Sequence, residues 1–536
     1  MGISSVGDLK MRTTTLRRCL FVVGAAILTV GAGPADLQLI DAAKQANQSA
    51  VRALLKQGAN VNASEADGTT ALHWAGYRDD LEMADVLIRA GAKVNAANDL
   101  GVTPLWTAAE NGSAAMAQKL LQAGADANAT LMAGETLLMT AARSGNAEIA
   151  KLLVAEGANV NAKERAHDQT ALMWAVAQRH PAVTEVLLAA GADVNARTNA
   201  WTEVVKTTLE VMNPAYVTDI QQGGYTPLLF AARVGDLESA KLLVARGADV
   251  NDTAPYGTSA LVVAAHSGHG DVAQFLLEKG ADPNSILAGY NALHAAILQK
   301  DDTLVAALLA KGANPNTPLL KSTPVRRESV DFYFSPGMVG ATPLWLAARY
   351  RAPKIMALLL EKSADPQFVH HPAYFIGRDY GNTRRMLHEG ETTVVMAAAG
   401  LGGESPIYSV DRLARIGEGA PVEAQRRDPL SPAEMEAVTL EAVRLAAEQG
   451  VDVNVANADG NTALHVSAAR GYDSVVKYLV GKGAKLDVTN KKGQTPLAAA
   501  TTGGLVMSSP TSRFLPITSG PKQSTVELLR SLGATE

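Results

Sequence analysis

Cysteine is almost missing from this 536-residue chain: the single one, Cys19, lies near the amino terminus. One thiol cannot close an internal loop, so no disulfide framework holds the fold. An excess of basic residues is missing too. Lysine and arginine number 48 against 53 aspartates and glutamates, a formal charge of −5, which excludes the basic footprint that nucleic acid requires. Beyond the amino terminus no run is long and apolar enough to span a bilayer.

Catalytic constellations are missing as well. His388 opens "HEGETT", which begins like a zinc-protease motif but has no second histidine four residues on. His370, His371 and His388 with Asp379 could ligate a metal only if that stretch folded tightly. Ser474 and Lys477 have Ser-x-x-Lys spacing, which chance explains, and no nucleophile elbow or phosphate-cradling glycine loop occurs. "GLGGES", Gly400 to Ser405, reads as a turn because no lysine follows it. No cofactor and no resident metal is expected.

What the chain has is repetition. "DGTTALHWAGYRDDLEMADVLIRAGAKVN" returns as "LGVTPLWTAAENGSAAMAQKLLQAGADAN" and "GGYTPLLFAARVGDLESAKLLVARGADVN". The glycine of each "GA" falls at Gly58, Gly91, Gly124, Gly157, Gly191, Gly247, Gly280, Gly312, Gly450, Gly483 and Gly533, with Ser363 standing in once. Most steps are 32 to 34 residues, and those of 56, 51, 87 and 50 equal one or two periods plus extra sequence. The count gives about twelve units.

Each unit carries two helix signals. Thr103–Pro104, Thr226–Pro227, Thr342–Pro343 and Thr495–Pro496 pair a capping hydroxyl with a proline at the first helical position. Leucines three and four apart follow in the second segment, ended by a glycine suited to the left-handed conformation. A pair this short cannot bury its own apolar stripe, so neighbouring units must stack. The asparagine after the second helix (Asn62, Asn95, Asn128, Asn161, Asn195, Asn251, Asn284, Asn316, Asn454) suits a turn, its side chain bonding nearby backbone.

"GTTALHWA", "VTPLWTAA", "NTALHVSAA" and "GADVN" resemble the ankyrin repeat, whose unit is a β-turn finger followed by two antiparallel helices. The resemblance runs from about residue 36 to 536 apart from insertions. It implies an all-α repeat solenoid and structural hydrogen bonds for His73, His294 and His465, where Trp106 and Trp345 depart from the pattern.

The organisation read from this is a signal peptide at 1–35, then repeats 1–5 over 36–196 and a finger insertion at 197–223. Repeats 6–8 cover 224–316, a second insertion 317–339, repeat 9 340–365 and a third insertion 366–389. An irregular repeat 10 spans 390–459 around an internal insertion at 402–434. Repeats 11–12 span 460–536 around one at 503–521. Arg17 and Arg18 precede the uncharged run "CLFVVGAAILTVGAGPA", which ends in small residues; export to the periplasm or beyond is expected, with Met11 as an alternative start and an uncleaved anchor as the other reading. Gln38, Lys44, Gln45 and Gln48 give the first unit the polar outer face that a terminal repeat needs.

Contact residues are sought where the family resemblance places them, after the alanine pair of the first helix: Tyr77, Arg78, Glu110, Asn111, Arg143, Arg233, His266, Arg349, Tyr350 and Arg470. An arginine row suits an acidic partner, and solvated arginines covering alanine-rich helices are the alternative. The segments 197–225, 317–339 and 366–389 hold ten of the 25 aromatics, among them Trp201, Phe332, Tyr333 and Phe334. They either pack on the solenoid or offer a contact surface. The expected function is a scaffold binding another protein, not nucleic acid and with no stable membrane span after cleavage. An accessory or hydrolytic enzyme with its site in 320–390 is the alternative.

Overall fold

Extended threonine or serine backbone opens most of the first helices. The side chains of Thr103, Thr136, Thr170, Ser259, Thr342, Thr393, Thr462 and Thr495 each accept a backbone N–H from the first helical turn. Thr226 holds the cap position without that side-chain bond. The structure is a computed structural model and describes residues 34–206, 217–323, 334, 336–376, 386–402, 430–505 and 520–535.

The described residues divide into two units, up to Asn159 and from Val160. The first holds four helix pairs: α1 (Pro34–Lys44) and α2 (Gln48–Lys56), α3 (Ala71–Arg78) and α4 (Leu81–Arg89), α5 (Pro104–Asn111) and α6 (Ala114–Gln122), α7 (Leu137–Ser144) and α8 (Ala147–Ala155). The second begins with α9 (Ala171–Ala177) and α10 (Pro181–Ala189), followed by an antiparallel hairpin of β1 (Ala200–Lys206) and β2 (Val217–Gly223). Then come α11 (Pro227–Val234) and α12 (Leu237–Ala245), α13 (Ala260–His266) and α14 (Gly270–Glu278), α15 (Ala292–Gln299) and α16 (Asp302–Ala310), α17 (Pro343–Arg349) and α18 (Pro353–Glu361). Two small antiparallel pairs follow. β3 (Val369–His370) joins β6 (Thr392–Thr393), and β4 (Ala373–Ile376) joins β5 (Met386–Glu389). The last pairs are α19 (Val394–Ala399) with the 16-residue α20 (Pro432–Ala447), α21 (Ala463–Arg470) with α22 (Asp473–Gly481), and α23 (Pro496–Thr502) with α24 (Gln523–Ser531). Among the described residues no helix is long and apolar enough to cross a membrane. The fold class is an all-α repeat solenoid.

Burial explains the alanines. Ala71, Ala75, Ala108, Ala109, Ala141 and Ala142 are all fully buried, because first helices pack on first helices at a distance that larger side chains would prevent. Gly76 in α3 shows the limit: a Cβ there would stand 2.2 Å from the Thr107 hydroxyl oxygen of the next repeat. Second helices contribute the larger groups, such as Met83, Leu87, Met116, Leu120, Ile149 and Leu153, each shielded from solvent. At about 25 cal/mol per Å² of apolar surface, this inter-repeat burial is the main favourable term.

The recurring asparagine does not act as expected. Except at Asn195, its side chain leaves its own turn and closes a two-point clasp on the following repeat. Asn128 Nδ2 donates to the Gly157 carbonyl at 3.1 Å and its Oδ1 accepts the Asn159 amide at 2.7 Å. The same pair of bonds joins Asn62 to Gly91 and Lys93, Asn95 to Gly124 and Asp126, Asn161 to Gly191 and Asp193. It recurs from Asn251 to Gly280 and Asp282, Asn284 to Gly312 and Asn314, Asn316 to Ser363 and Asp365, and Asn454 to Gly483 and Lys485. The local turn bond is made instead by the residue two positions earlier, as when Asp126 accepts the Asn128 amide at 2.8 Å.

The glycine receiving each clasp is required by conformation, not space: Gly124 and Gly157 have φ of 88° and 79°, with nothing within 4 Å of an added Cβ. Ser363 takes the same left-handed conformation at φ 63° and carries its cost.

The polar outer face expected of the first repeat is also partly turned inward. Lys44 pairs with Glu65 and lies 4.9 Å from the Trp74 ring, while Gln48 donates to Asp80 at 2.8 Å. Both therefore join repeat 1 to repeat 2.

Replacing Ser363 by Gly should raise stability by about 1 kcal/mol by relieving the left-handed serine, measured as a higher urea midpoint. Asn128→Ala should lower it by about 1 kcal/mol, because two solvent-exposed inter-repeat hydrogen bonds are exchanged for bonds to water.

Candidate functional site

The first helices of each unit end in the same way, so the residues after their alanine pairs fall on one side of each stack. Their terminal carbonyls are not left open. Asn111 donates to the Tyr77 carbonyl at 2.7 Å, Asn146 to that of Gly112 at 2.9 Å, His269 Nε2 to that of Arg233 at 3.1 Å and Gln299 to that of His266 at 2.6 Å. Each bond runs back to the preceding repeat. The side chains at these positions are thus displayed from a fixed backbone.

The candidates meet different fates there. Tyr77 and Arg78 are exposed, with the Tyr77 ring edge-on to Trp74 at 5.8 Å. His266 is half-buried, its ring 5.8 Å from that of Tyr290; Arg233 is half-buried as well. Arg143 is neutralised within the chain: its guanidinium donates to Glu110 and to Glu135, both at 2.9 Å. Burial raises the Glu135 carboxyl above the usual carboxylate range although Arg143 opposes this. Arg143 is therefore part of the frame, not of an open arginine row.

Repeats 9 to 11 differ. Arg349 Nε donates to the Gly402 carbonyl, and the Tyr350 hydroxyl reaches the Met338 sulfur at 3.3 Å. Arg351, which the sequence reading missed, lies with Arg470 over Gly400. An added Cβ on that glycine would be 2.6 Å from Arg351 Nη2 and 2.8 Å from Arg470 Nη2. Arg349, Arg351 and Arg470 are all half-buried. The missed signal was "ARYRAP", two arginines flanking a tyrosine where other units place one or none.

The insertion aromatics are mainly structural where they are described. Phe334 is fully buried, its ring 5.6 Å from Tyr290 and 6.3 Å from His294, with its amide held by Thr323 at 2.8 Å. It is a core anchor and is withdrawn from the contact surface. Trp201 is half-buried beside His167, ring centres 5.7 Å apart. Phe332 and Tyr333 lie outside the described residues.

The metal reading finds no support in what is described. His370 is buried, stacked 4.4 Å from the Trp345 ring, and bonds the Val339 carbonyl at 3.0 Å. His371 instead lies at the surface, 3.6 Å from Glu391. Asp379 lies outside the described residues, and among those described no group of three or more His, Cys, Asp or Glu side chains could hold a metal ion. Ser474 bonds Glu436 at 2.6 Å rather than pairing with Lys477.

His73, His294 and His465 close a further joint between repeats. Each accepts the amide of its own helix cap at Nδ1, from Thr70, Asn291 and Thr462. The proton therefore sits on Nε2, which donates to the carbonyls of Val102, Thr317 and Gln494 at 2.9, 3.0 and 3.1 Å. Trp345 departs from the histidine pattern yet keeps the donor, its Nε1 reaching the Thr392 carbonyl at 3.2 Å. Burial pulls all three histidines below 6.5, His294 to about 4.

A buried imidazole that stays neutral binds fewer protons than its unfolded form between the two pKa values. Stability should therefore fall as pH drops from 6.5 towards 4, by about 3 kcal/mol from His294. Urea midpoints at pH 7 and pH 4 should show this fall, and His294→Leu should reduce its pH dependence while lowering stability at pH 7.

Comparison with known families and proteins places these repeats. The model for "Ankyrin repeats (3 copies)" matches residues 39–131, 130–198, 199–287, 228–319 and 434–507, and "Ankyrin repeat" matches 339–370, together more than half of the chain. The chain is similar to protein phosphatase 1 regulatory subunit 27 of Homo sapiens, 37% identical over 57 residues, which is 11% of this chain and 37% of that protein. It is also similar to serine/threonine-protein kinase 12 of Arabidopsis thaliana, 36% identical over 61 residues, 11% of this chain and 13% of that one. The chain thus spans well under half the length of these curated relatives.

Proposed function

The chain belongs to the ankyrin repeat family, and on that premise we propose that it is an exported, non-catalytic scaffold that holds another protein against the side where its first helices end. Repeats of this kind are protein-interaction scaffolds. The supporting observation is the closure of backbone groups from repeat to repeat by Asn, His and Gln side chains within each unit, the Tyr77 carbonyl among them, so that residues at the first-helix ends are displayed from ordered backbone. A binding surface that is ordered beforehand loses little entropy on association. The name of one similar protein, a phosphatase regulatory subunit, favours a role beside catalysis rather than in it.

Export rests on the first 35 residues, where Arg17 and Arg18 precede an uncharged stretch ending in small residues. Amino-terminal sequencing of the protein from its own cells should give a start near Asp36; an intact Met1 or Met11 would remove export from the reading. Affinity capture from an envelope fraction should return a stoichiometric protein partner whose binding weakens at least tenfold in Tyr77→Ala/Arg78→Ala or Arg349→Ala/Tyr350→Ala. Undiminished binding by both would move the contact surface elsewhere.

A further inference from the structure

We propose that Arg351 and Arg470, with Arg349 beside them, form an anion site that receives a carboxylate-bearing side chain from an acidic segment of the partner protein. The inference rests on the scaffold reading above and specifies the chemistry of what the scaffold holds. Three guanidinium-bearing residues from the ends of α17 and α21 converge on the Gly400–Gly402 turn that ends α19. Arg351 and Arg470 are neighbours across Gly400 itself, each with an Nη2 within 3 Å of where a Cβ would stand. As placed, the two guanidinium groups occupy the space that a side chain on Gly400 would take.

Among the described residues no carboxylate pairs with Arg351 or Arg470. The element packed against Arg351 is α20, and the atom it offers is the Met435 sulfur, 3.7 Å from Nη1. The two carboxylates flanking that methionine are used elsewhere: Glu434 caps Ser431, at 2.8 Å from its amide, and Glu436 accepts from Ser474. The Arg351 Nε is buried with no hydrogen-bond partner among the described residues. Burial, then the charges of Arg470 and Arg349, pull Arg351 down to about 9, with Tyr472 opposing. It is still a cation at neutral pH, so the positive charges coexist and an incoming anion relieves them.

The frame itself indicates which anion. Arg143, at the corresponding end of α7, is held by two carboxylates, Glu110 and Glu135. Repeats 9 to 11 present more guanidinium and, among the described residues, no carboxylate hydrogen-bonded to Arg351 or Arg470. Planar guanidinium groups bind carboxylates through two parallel hydrogen bonds, and half-burial strengthens such a pair while leaving it reachable from solvent.

The test uses the full chain with a fluorescein-labelled hexaglutamate peptide. The wild type should bind it, Arg351→Gln/Arg470→Gln should bind at least tenfold more weakly, and Arg89→Gln, which removes an exposed charge elsewhere, should match the wild type. Arg470→Gln alone, without peptide, should melt no lower than wild type, since it removes repulsion. A wild type that ignores the peptide, a double variant that binds it equally, or an Arg470→Gln melt that falls would each overturn the site; the last would mean that the chain already pairs this arginine. Protection of the wild type by inorganic phosphate but not by the peptide would also overturn the carboxylate assignment. Should a captured partner remain bound to the double variant, this site fails while the scaffold stands. Should the peptide bind as expected while no partner is captured, the site stands and the scaffold reading fails.

Discussion

Every repeat in this protein depends on a joint it cannot make alone. A pair of two-turn helices has too little core and too costly a nucleus to persist in isolation, so its apolar stripe must be covered by a neighbour, and the neighbour must be in register. The asparagine clasp sets that register. One amide side chain binds a carbonyl and an N–H of the following repeat, and Asn128 with Gly157 and Asn159 is the pattern for seven others. The histidine or tryptophan Nε bond makes a second joint and the first-helix carbonyls a third. Their combined effect is to convert marginal modules into an ordered frame with the first-helix ends displayed.

The same joints explain why the chain tolerates large insertions. The Asn316 clasp closes on Ser363, 47 residues away, with a 3.1 Å bond, and the Asn128 clasp closes on Gly157, 29 residues away, at the same distance. At Asn316 extra sequence leaves the stack and returns without altering the joint, whereas Asn195, before the β1–β2 hairpin, makes no such clasp among the described residues. Where it returns it can be pinned, as Phe334 is pinned beneath Tyr290 and His294. A change of residue type is accommodated in the same manner when the hydrogen-bond donor survives, as at Trp345.

Arginine illustrates how context decides role. Arg143 is absorbed by two glutamates of its own frame, so it supplies rigidity and no open charge. Arg351 and Arg470 are placed over a glycine with a methionine sulfur opposite, and the nearby glutamates of α20 are committed to capping and to Ser474. Composition cannot distinguish these cases, since all three arginines follow similar alanine-rich helices.

The period of the glycines, the Thr-Pro starts and the leucine spacing determined the repeat fold, because these are local rules: a cap, a fixed φ and a left-handed residue act within a few positions. They could not reveal that the asparagine bonds the next repeat rather than its own turn. The two options need the same residue and differ only in where a backbone 29 positions away comes to lie. Likewise the sequence leaves Phe334 open between packing and contact surface and the fold puts it in the core, and Lys44 reads as an outer cap and faces Trp74. The Arg351 and Arg470 pair, more than a hundred residues apart in sequence, was decided by stacking alone, which brings the ends of α17 and α21 to one glycine.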